Sequence, residues 1–346
     1  MANRQDHRGE SGKGLSIRKV AELAGVSVAT VSRVINSPDV VAEPTRSRVQ
    51  AVITQMGYTP NPFAQVLTTG ESRVIGIALP WFHGEFITSI LQGADAQATK
   101  LGYQLIMTSF FRPADGSRRD RVLGNGFVDG VIAMIDNEAD PLANDVVGTK
   151  LPAVVLDTDL SSRGVDSVIL DNASGTKAAV EHLLSATKAS NCYFVGGPRA
   201  NFDSALRAAS FAECITSAGA AIRDEQVCFG DYSMEWGRDW AERAHRERHL
   251  KGVAVLAGND DIAFGIIRRA AELGVKCPGD FRIVGFDDTK ASNLFTPRLS
   301  SVTLPMEELG SAAVRMLVAR IENREAPVVC EKYPTRLIVR ESSAQK

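Results

Sequence analysis

Apolar positions change their spacing near residue 73. Before it they recur as on helices. Ile17, Val20, Ala21, Leu23 and Ala24 mark one inward face, opened by Ser16 as N-cap and broken at Gly25. Gly25-Val26-Ser27 supplies a tight turn, and Ser27 caps a second helix, Val28 to Ile35, with Val31, Val34 and Ile35 inward. A third helix begins around Pro44 and Thr45, passes Val49, Val52, Ile53 and Met56, and stops at Gly57. Tyr58-Thr59-Pro60-Asn61-Pro62 reads as a linker, because each proline forces its predecessor out of the helical region. Residues Phe63 to Thr68 have a helical composition but span fewer than two turns, too few for a helix that stands alone in water.

Beyond residue 73, short continuous apolar runs alternate with amphipathic stretches. The runs are Val74 to Leu79, Tyr103 to Met107 and Gly130 to Ile135, with a helix from Phe86 to Leu101. A second series follows: strands Ala153 to Leu156, Cys192 to Val195, Val253 to Leu256 and Phe281 to Phe286, separated by helices Ala173 to Leu184, Ser204 to Ala218 and Asp260 to Leu273. Helix Met306 to Ile321 and strand Thr335 to Val339 complete the core, and the segment after Arg324-Glu325-Ala326-Pro327 is expected to return to an existing sheet. Continuous apolar strands between helices predict parallel sheets covered on both faces, divided between two doubly wound lobes. The expected organisation is an extension at 1–14 without fixed structure, a helical domain at 15–60, a hinge at 61–71, a two-lobed core at 72–340 and a tail at 341–346.

Composition and charge narrow the possible functions. Apolar types make up 44% and charged types 23% of the 346 residues, enough for a sizeable core and unlike a disordered or collagenous chain. The formal net charge of −2 hides an asymmetry: residues 1–73 carry nine Lys/Arg against six Asp/Glu, which makes this part the candidate for a polyanionic partner. The five cysteines form no C-x-x-C pair and their number is odd, so a reducing, cytoplasmic compartment is expected. Residues 1–14 lack the apolar stretch of a signal peptide, and no apolar run reaches membrane-span length. No metal site or cofactor is expected: His245 and His249 stand four apart, but Arg246-Glu247-Arg248 lies between them with no glutamate placed as in H-E-x-x-H, and a solvated charged helix is the simpler reading. Neither a phosphate loop nor a nucleophile elbow is found, which disfavours catalysis.

The text Ile17-Arg18-Lys19-Val20-Ala21-Glu22-Leu23-Ala24-Gly25-Val26-Ser27-Val28-Ala29-Thr30-Val31-Ser32-Arg33-Val34-Ile35-Asn36 closely resembles the helix-turn-helix of the lactose-repressor (LacI) family. Gly57-Tyr58-x-Pro60-Asn61 with Ala64-x-x-Leu67 is similar to that family's hinge. Val284-Gly285-Phe286-Asp287-Asp288 resembles a strand end at its pocket, and Gly258-Asn259-Asp260 with Ala263-x-Gly265 a helix start in its C-terminal lobe. The likeness covers residues 15–340. It implies an α/β chain with an N-terminal all-α helix-turn-helix domain and a periplasmic-binding-protein-like core, working as a homodimer on double-stranded operator DNA and controlled by a small, sugar-like effector.

The second helix of such a motif enters the major groove, N-terminal residues toward the base edges. Val28 and Ala29 offer only apolar contacts, whereas Arg33 can donate twice to a guanine. Ser27, Thr30 and Ser32 are expected on phosphates, with Asn36 also at the DNA. By resemblance Asn61, Ala64 and Leu67 meet the minor groove, Leu67 as an apolar wedge that kinks the duplex. The plainer reading makes Leu67 a staple between hinge and core.

In a doubly wound sheet, ligands sit beyond the carboxyl ends of the strands, which here carry Leu79, Pro80, Asp157, Asn259 and Asp287. The resemblance implies that Arg207, Asn259 and Asp287 hold effector hydroxyls with help from Ser204, that Tyr232 is an aromatic platform, and that Met306 closes the pocket from the crossover strand. Arg112 joins this set. Met134 and the aromatic run Phe110-Phe111-Arg112-Pro113 depart from the lactose repressor and leave room for a more apolar or planar ligand than a hexose. Asn259 and Asp287 also suit plain capping, and Asp288 is expected as a helix N-cap. The alternative function is a solute-binding protein with no role at DNA.

Overall fold

The computed structural model describes residues 16–58, 71–80, 84–109, 127–248 and 250–344. They divide into two compact units, with the boundary between Ser72 and Arg73.

The first unit contains α1 (Ile17–Ala24), α2 (Val28–Asn36), a 3-10 turn (Pro38–Val40) and α3 (Glu43–Met56). Ser16 accepts a hydrogen bond from the Lys19 amide and Ser27 one from the Thr30 amide, so both predicted N-caps operate. Gly25 and Gly57 end α1 and α3 at φ 64° and 60°, a left-handed conformation that costs glycine least. Val20, Ala21, Ala24, Val31, Val34 and Val49 form the core. Leu23 does not join it. Expected to face inward, it is 56% exposed, because three residues after Val20 and one before Ala24 it falls on the outer edge of a two-turn helix whose inner face is already filled.

The second unit holds two six-stranded sheets. Its strands are β1 (Val74–Leu79), β2 (Gln104–Ser109), β3 (Gly130–Met134), β4 (Ala153–Leu156), β5 (Asp166–Leu170), β6 (Cys192–Gly196), β7 (Val227–Phe229), β8 (Ala254–Ala257), β9 (Arg282–Asp287), β10 (Ser300–Thr303), β11 (Cys330–Tyr333) and β12 (Arg336–Ile338). The helices between them are α4 (Glu85–Lys100), α5 (Pro141–Val147), α6 (Asn172–Leu184), α7 (Phe202–Ser217), α8 (Met234–Arg248), α9 (Asp260–Glu272), α10 (Ala291–Leu294) and α11 (Met306–Glu322). The first sheet runs β11-β5-β4-β3-β1-β2, all parallel; the second runs β12-β10-β9-β8-β6-β7, with only β12 antiparallel to its neighbour.

Two expectations change here. Ala153 to Leu156, grouped above with the second series, is β4 of the first sheet. The segment after Pro327 does not return to one sheet but serves both, β11 closing the first and β12 the second. The chain therefore crosses between lobes after β5, after β10 and between β11 and β12. Helix α11, although it follows a strand of the second sheet, packs on α4 and on the first sheet. Gly93 and Gly310 allow that approach: a Cβ on either would overlap backbone of the facing helix.

Candidate functional site

At the exposed start of α2 stand Ser27, Val28 and Ala29, with Arg33 exposed one turn beyond Ala29. Val28 is 41% exposed, so its side chain is open to a partner. The Ser27 and Thr30 hydroxyls are 2.9 Å apart and share one hydrogen bond, which leaves the second hydroxyl proton for an outside acceptor. Asn36 donates to Ser32 at 3.3 Å along the same helix. Asn61, Ala64 and Leu67 lie outside the described residues, as do Arg112, the Phe110 to Pro113 run and His249.

In the second unit, the strand ends of both sheets bring buried polar groups together. Arg207 on α7 is 3% exposed. Its Nε donates to Asn172 at 2.7 Å, Nη1 to the Gly258 carbonyl at 2.7 Å and Nη2 to Asp203 at 2.9 Å, while the guanidinium lies 3.9 Å from the centre of the Phe286 ring. Asn172 also donates to Asp203 at 2.7 Å. Asp203 and Asn172, which the sequence reading did not single out, thus form the frame of Arg207. The available signal was the i, i+4 spacing of Asp203 and Arg207 on one helix face.

Around this frame stand Asp157, past β4 of the first sheet, and Asp287, at the end of β9 of the second. Burial pushes both carboxyls well above the ordinary range; the Asp203 and Asp136 carboxylates push Asp157 further, and Arg207 pulls both back. Asp157 has φ 77° and Asp287 φ 103°, conformations that non-glycine residues adopt at a cost. No side-chain hydrogen bond holds either carboxylate among the described residues. Ser204, fully buried, also leaves its Oγ without a partner. Phe202 donates its amide to the Asp136 carbonyl at 2.7 Å, so the two lobes touch at this edge.

Tyr232 lies over Gly197, where a Cβ would strike its ring, and donates to Asn201 at 2.9 Å. Asn259 N-caps α9 by accepting from the Ile262 amide at 2.9 Å and donates to the Tyr232 carbonyl at 3.2 Å. Its capping role is real, and it also places Tyr232. Leu79 is fully buried at the end of β1, and Pro80 after it is half-buried. Met134 belongs to the hydrophobic core at 2% exposure. Met306 lies at the first turn of α11 rather than on a crossover strand, and with Glu85, Asp287, Asp288 and Thr289 it lines a cavity of about 300 Å³. Asp288 caps no helix. Its carboxylate pairs with Arg340 at 2.6 Å, because the chain turns sharply after Asp287 and α10 begins only at Ala291.

Residues 16–61 match the family model for bacterial regulatory proteins of the lacI family, and residues 180–343 that of a periplasmic binding protein-like domain. The HTH-type transcriptional repressor PurR of Proteus mirabilis is 31% identical over 333 residues, covering 95% of this chain and 97% of that one. Catabolite control protein A of Priestia megaterium is 28% identical over 331 residues, 95% of this chain and 99% of that one. The chain belongs to the lacI family of bacterial regulatory proteins. Among solved structures, the Lac repressor dimer bound to operator and the anti-inducer ONPF superposes with a TM-score of 0.85 at 26% identity, over 96% of this chain and all of that one. A complex of the transcriptional regulator CelR with cellobiose gives 0.70 at 26% identity, over 95% and 100%.

This lacI-family chain is a ligand-responsive, DNA-binding transcriptional regulator, and the relatives named are regulators rather than enzymes. Burial pushes Cys192 up to about 11 and Cys277 up to about 12, so neither supplies a thiolate at neutral pH. No helix among the described residues is long and apolar enough to cross a membrane.

Proposed function

We propose that this regulator is a cytoplasmic, homodimeric repressor whose effector, a sugar or sugar derivative, binds between the lobes of the second unit. The observation that carries this is the pair Asp157 and Asp287: two carboxylates, one from each lobe, Asp157 buried and Asp287 half-buried on the cavity it lines, near the Arg207 guanidinium and with no side-chain hydrogen bond of their own. Ligand hydroxyls supply what these oxygens lack. Ser204, Asn259 and Tyr232 complete the polar and aromatic set; Leu79, Pro80 and Met306 form walls, and Arg112 is assigned to the same cleft. Sugar ligands in the CelR complex and an operator-bound dimer in the Lac repressor support both the ligand class and the assembly.

At DNA, Val28, Ala29 and Arg33 read bases, Ser27, Thr30, Ser32 and Asn36 meet the backbone, and Asn61, Ala64 and Leu67 meet the minor groove. The hinge at 61–71 carries the effector's influence from the core at 72–340 to the domain at 15–60. A thermal-shift screen of sugars, sugar phosphates, nucleobases and nucleosides tests the ligand class. A ligand present at a hundred times its dissociation constant adds about 2.7 kcal/mol of stability. The expected hit is a sugar whose stabilisation disappears in Asp287→Ala; a hit that stabilises Asp287→Ala equally places the effector elsewhere.

A further inference from the structure

Asp287, the last residue of β9, and Asp288 after it adopt conformations that L residues seldom adopt, φ 103° and φ 55°. Such a turn persists only where its surroundings hold it. Two anchors do so. From below, the Asp260 carboxylate accepts from Ser301 at 2.6 Å, Ser292 at 2.6 Å, and the Thr289 amide and hydroxyl at 2.8 and 3.0 Å. From the side comes the chain's last described segment. Its Ser342 hydroxyl donates to the Ile283 carbonyl at 2.7 Å and accepts from the Ser300 amide at 2.8 Å, while Ser343 meets Ser300 and His182 at 2.7 and 2.8 Å. Residues 341–344, assigned to a tail by sequence, are therefore built into the second lobe, with Ser342 and Ser343 at most 1% exposed.

Arg340 is where this segment reaches the cleft. Its amide donates to Ser300 at 2.7 Å, its Nη1 to the Leu299 carbonyl at 2.7 Å, and its Nη2 stands 2.6 Å from the Asp288 carboxylate, with both side chains largely buried. Four other acidic residues, Glu85, Asp287, Glu307 and Glu308, line the cavity beside Asp288, together with apolar and hydroxyl-bearing residues such as Phe86, Met306 and Thr303. A lone carboxylate at position 288 would be repelled from that wall; the guanidinium offsets it and fixes its direction.

We propose that Arg340 is a positioning residue for the effector cleft: clamped between the Leu299 carbonyl and the Asp288 carboxylate, it holds the Asp287-Asp288 turn so that Asp287 faces the ligand. The proposal rests on the reading above that Asp287 contacts the effector. The same turn continues into Lys290, whose amide donates to Glu85 of the first lobe at 2.9 Å, so loosening it also loosens a contact across the cleft.

Hydrogen exchange of the full-length protein tests this without needing the effector. In Arg340→Ala and in Asp288→Ala, amides of residues 286–292 are expected to exchange at least tenfold faster at pH 7, while β6 and β8 keep wild-type rates. The double variant should be no faster than Arg340→Ala alone, since Asp288→Ala removes a pair that this variant has already lost. Arg340→Lys should fall between, because an ammonium cannot span both partners. Equal acceleration in β6 and β8, unchanged exchange at 286–292, or additive effects in the double variant would each overturn the proposal. A second arm, thermal shift with D-glucose, D-galactose, D-ribose and cellobiose as probes on wild type, Arg340→Ala and Asp287→Ala, separates it from the ligand-site reading. A probe whose shift survives Asp287→Ala counts against that reading alone, and one whose shift survives Arg340→Ala but not Asp287→Ala counts against the role given to Arg340.

Discussion

Arg33 and Asp287 carry the sharpest expectations at the scale of single residues. Arg33 is exposed on α2 and can donate two hydrogen bonds to one guanine, worth roughly 1–3 kcal/mol of base discrimination. Arg33→Ala should therefore weaken operator binding far more than binding to random DNA, read by fluorescence anisotropy at fixed salt; equal losses would mean that Arg33 touches only phosphate. Asp287 is a different case, since burial holds its carboxyl well above the ordinary range and the ligand-free fold bears the cost of its charge. A group whose folded pKa is raised stabilises the fold below its unfolded pKa and loses that contribution as pH rises through the folded value. Asp287→Asn should then stabilise the ligand-free protein by roughly 1–3 kcal/mol at pH 8, the scale of an unsatisfied buried polar group. The gain should shrink toward acid pH, where the wild-type carboxyl is itself neutral. Urea denaturation at both pH values decides it, and a stabilisation that grows toward acid would contradict the assignment.

At the scale of elements, the helices of the first unit are set by local chemistry and those of the second by close approach. Ser27→Ala removes the N-cap of α2 and should cost about 1 kcal/mol of first-unit stability, visible as an earlier loss of helical signal on heating. Gly310→Ala acts through packing. Its Cβ would meet backbone of α4, so the two helices must separate, and a loss of roughly 1–3 kcal/mol is expected in chemical denaturation of the second unit. An unchanged midpoint would show that α4 and α11 can shift apart freely. Gly265 plays the same part between α9 and α8, which explains the Ala263-x-Gly265 pattern in structural terms.

Across the whole molecule, an effector in the cleft alters operator affinity only by as much as it prefers one lobe arrangement to another. The usual coupling of 1–3 kcal/mol corresponds to a 5- to 150-fold change. Three chain crossings link the lobes, and the Glu85–Lys290 and Asp136–Phe202 contacts bridge the cleft near Asp287 and Asp203. Glu85→Ala removes one bridge without substituting any residue assigned to the ligand. It should change the effector-induced ratio of operator affinities several-fold, measured by titrating operator with and without the effector found in the screen; an unaltered ratio would mean that this bridge takes no part in coupling.

Much of this was determined by local sequence. N-caps, αL glycines and helix spacing define α1 to α3 within a residue or two, because they act over a single turn, and the buried parallel strands declare themselves as continuous apolar runs. Other elements were not legible. Helix α8 is too charged to show a clear apolar stripe, β5 and β10 carry Asp166, Ser167, Ser300 and Ser301 where partners from elsewhere satisfy them, and β7 has only three residues. Asn259 and Asp287 were named from their motifs and Arg207 from the family resemblance, but Asn172 and Asp203 acquire meaning only when α6 and α7 come together. The lobe to which Ala153 to Leu156 belongs, the division of the last two strands between both sheets, and the placement of Arg340 against Asp288 depend on contacts between residues tens to hundreds of positions apart. Periodicity records which face of an element is buried; it holds no information about which distant partner covers that face, and that choice is made by packing in the folded molecule.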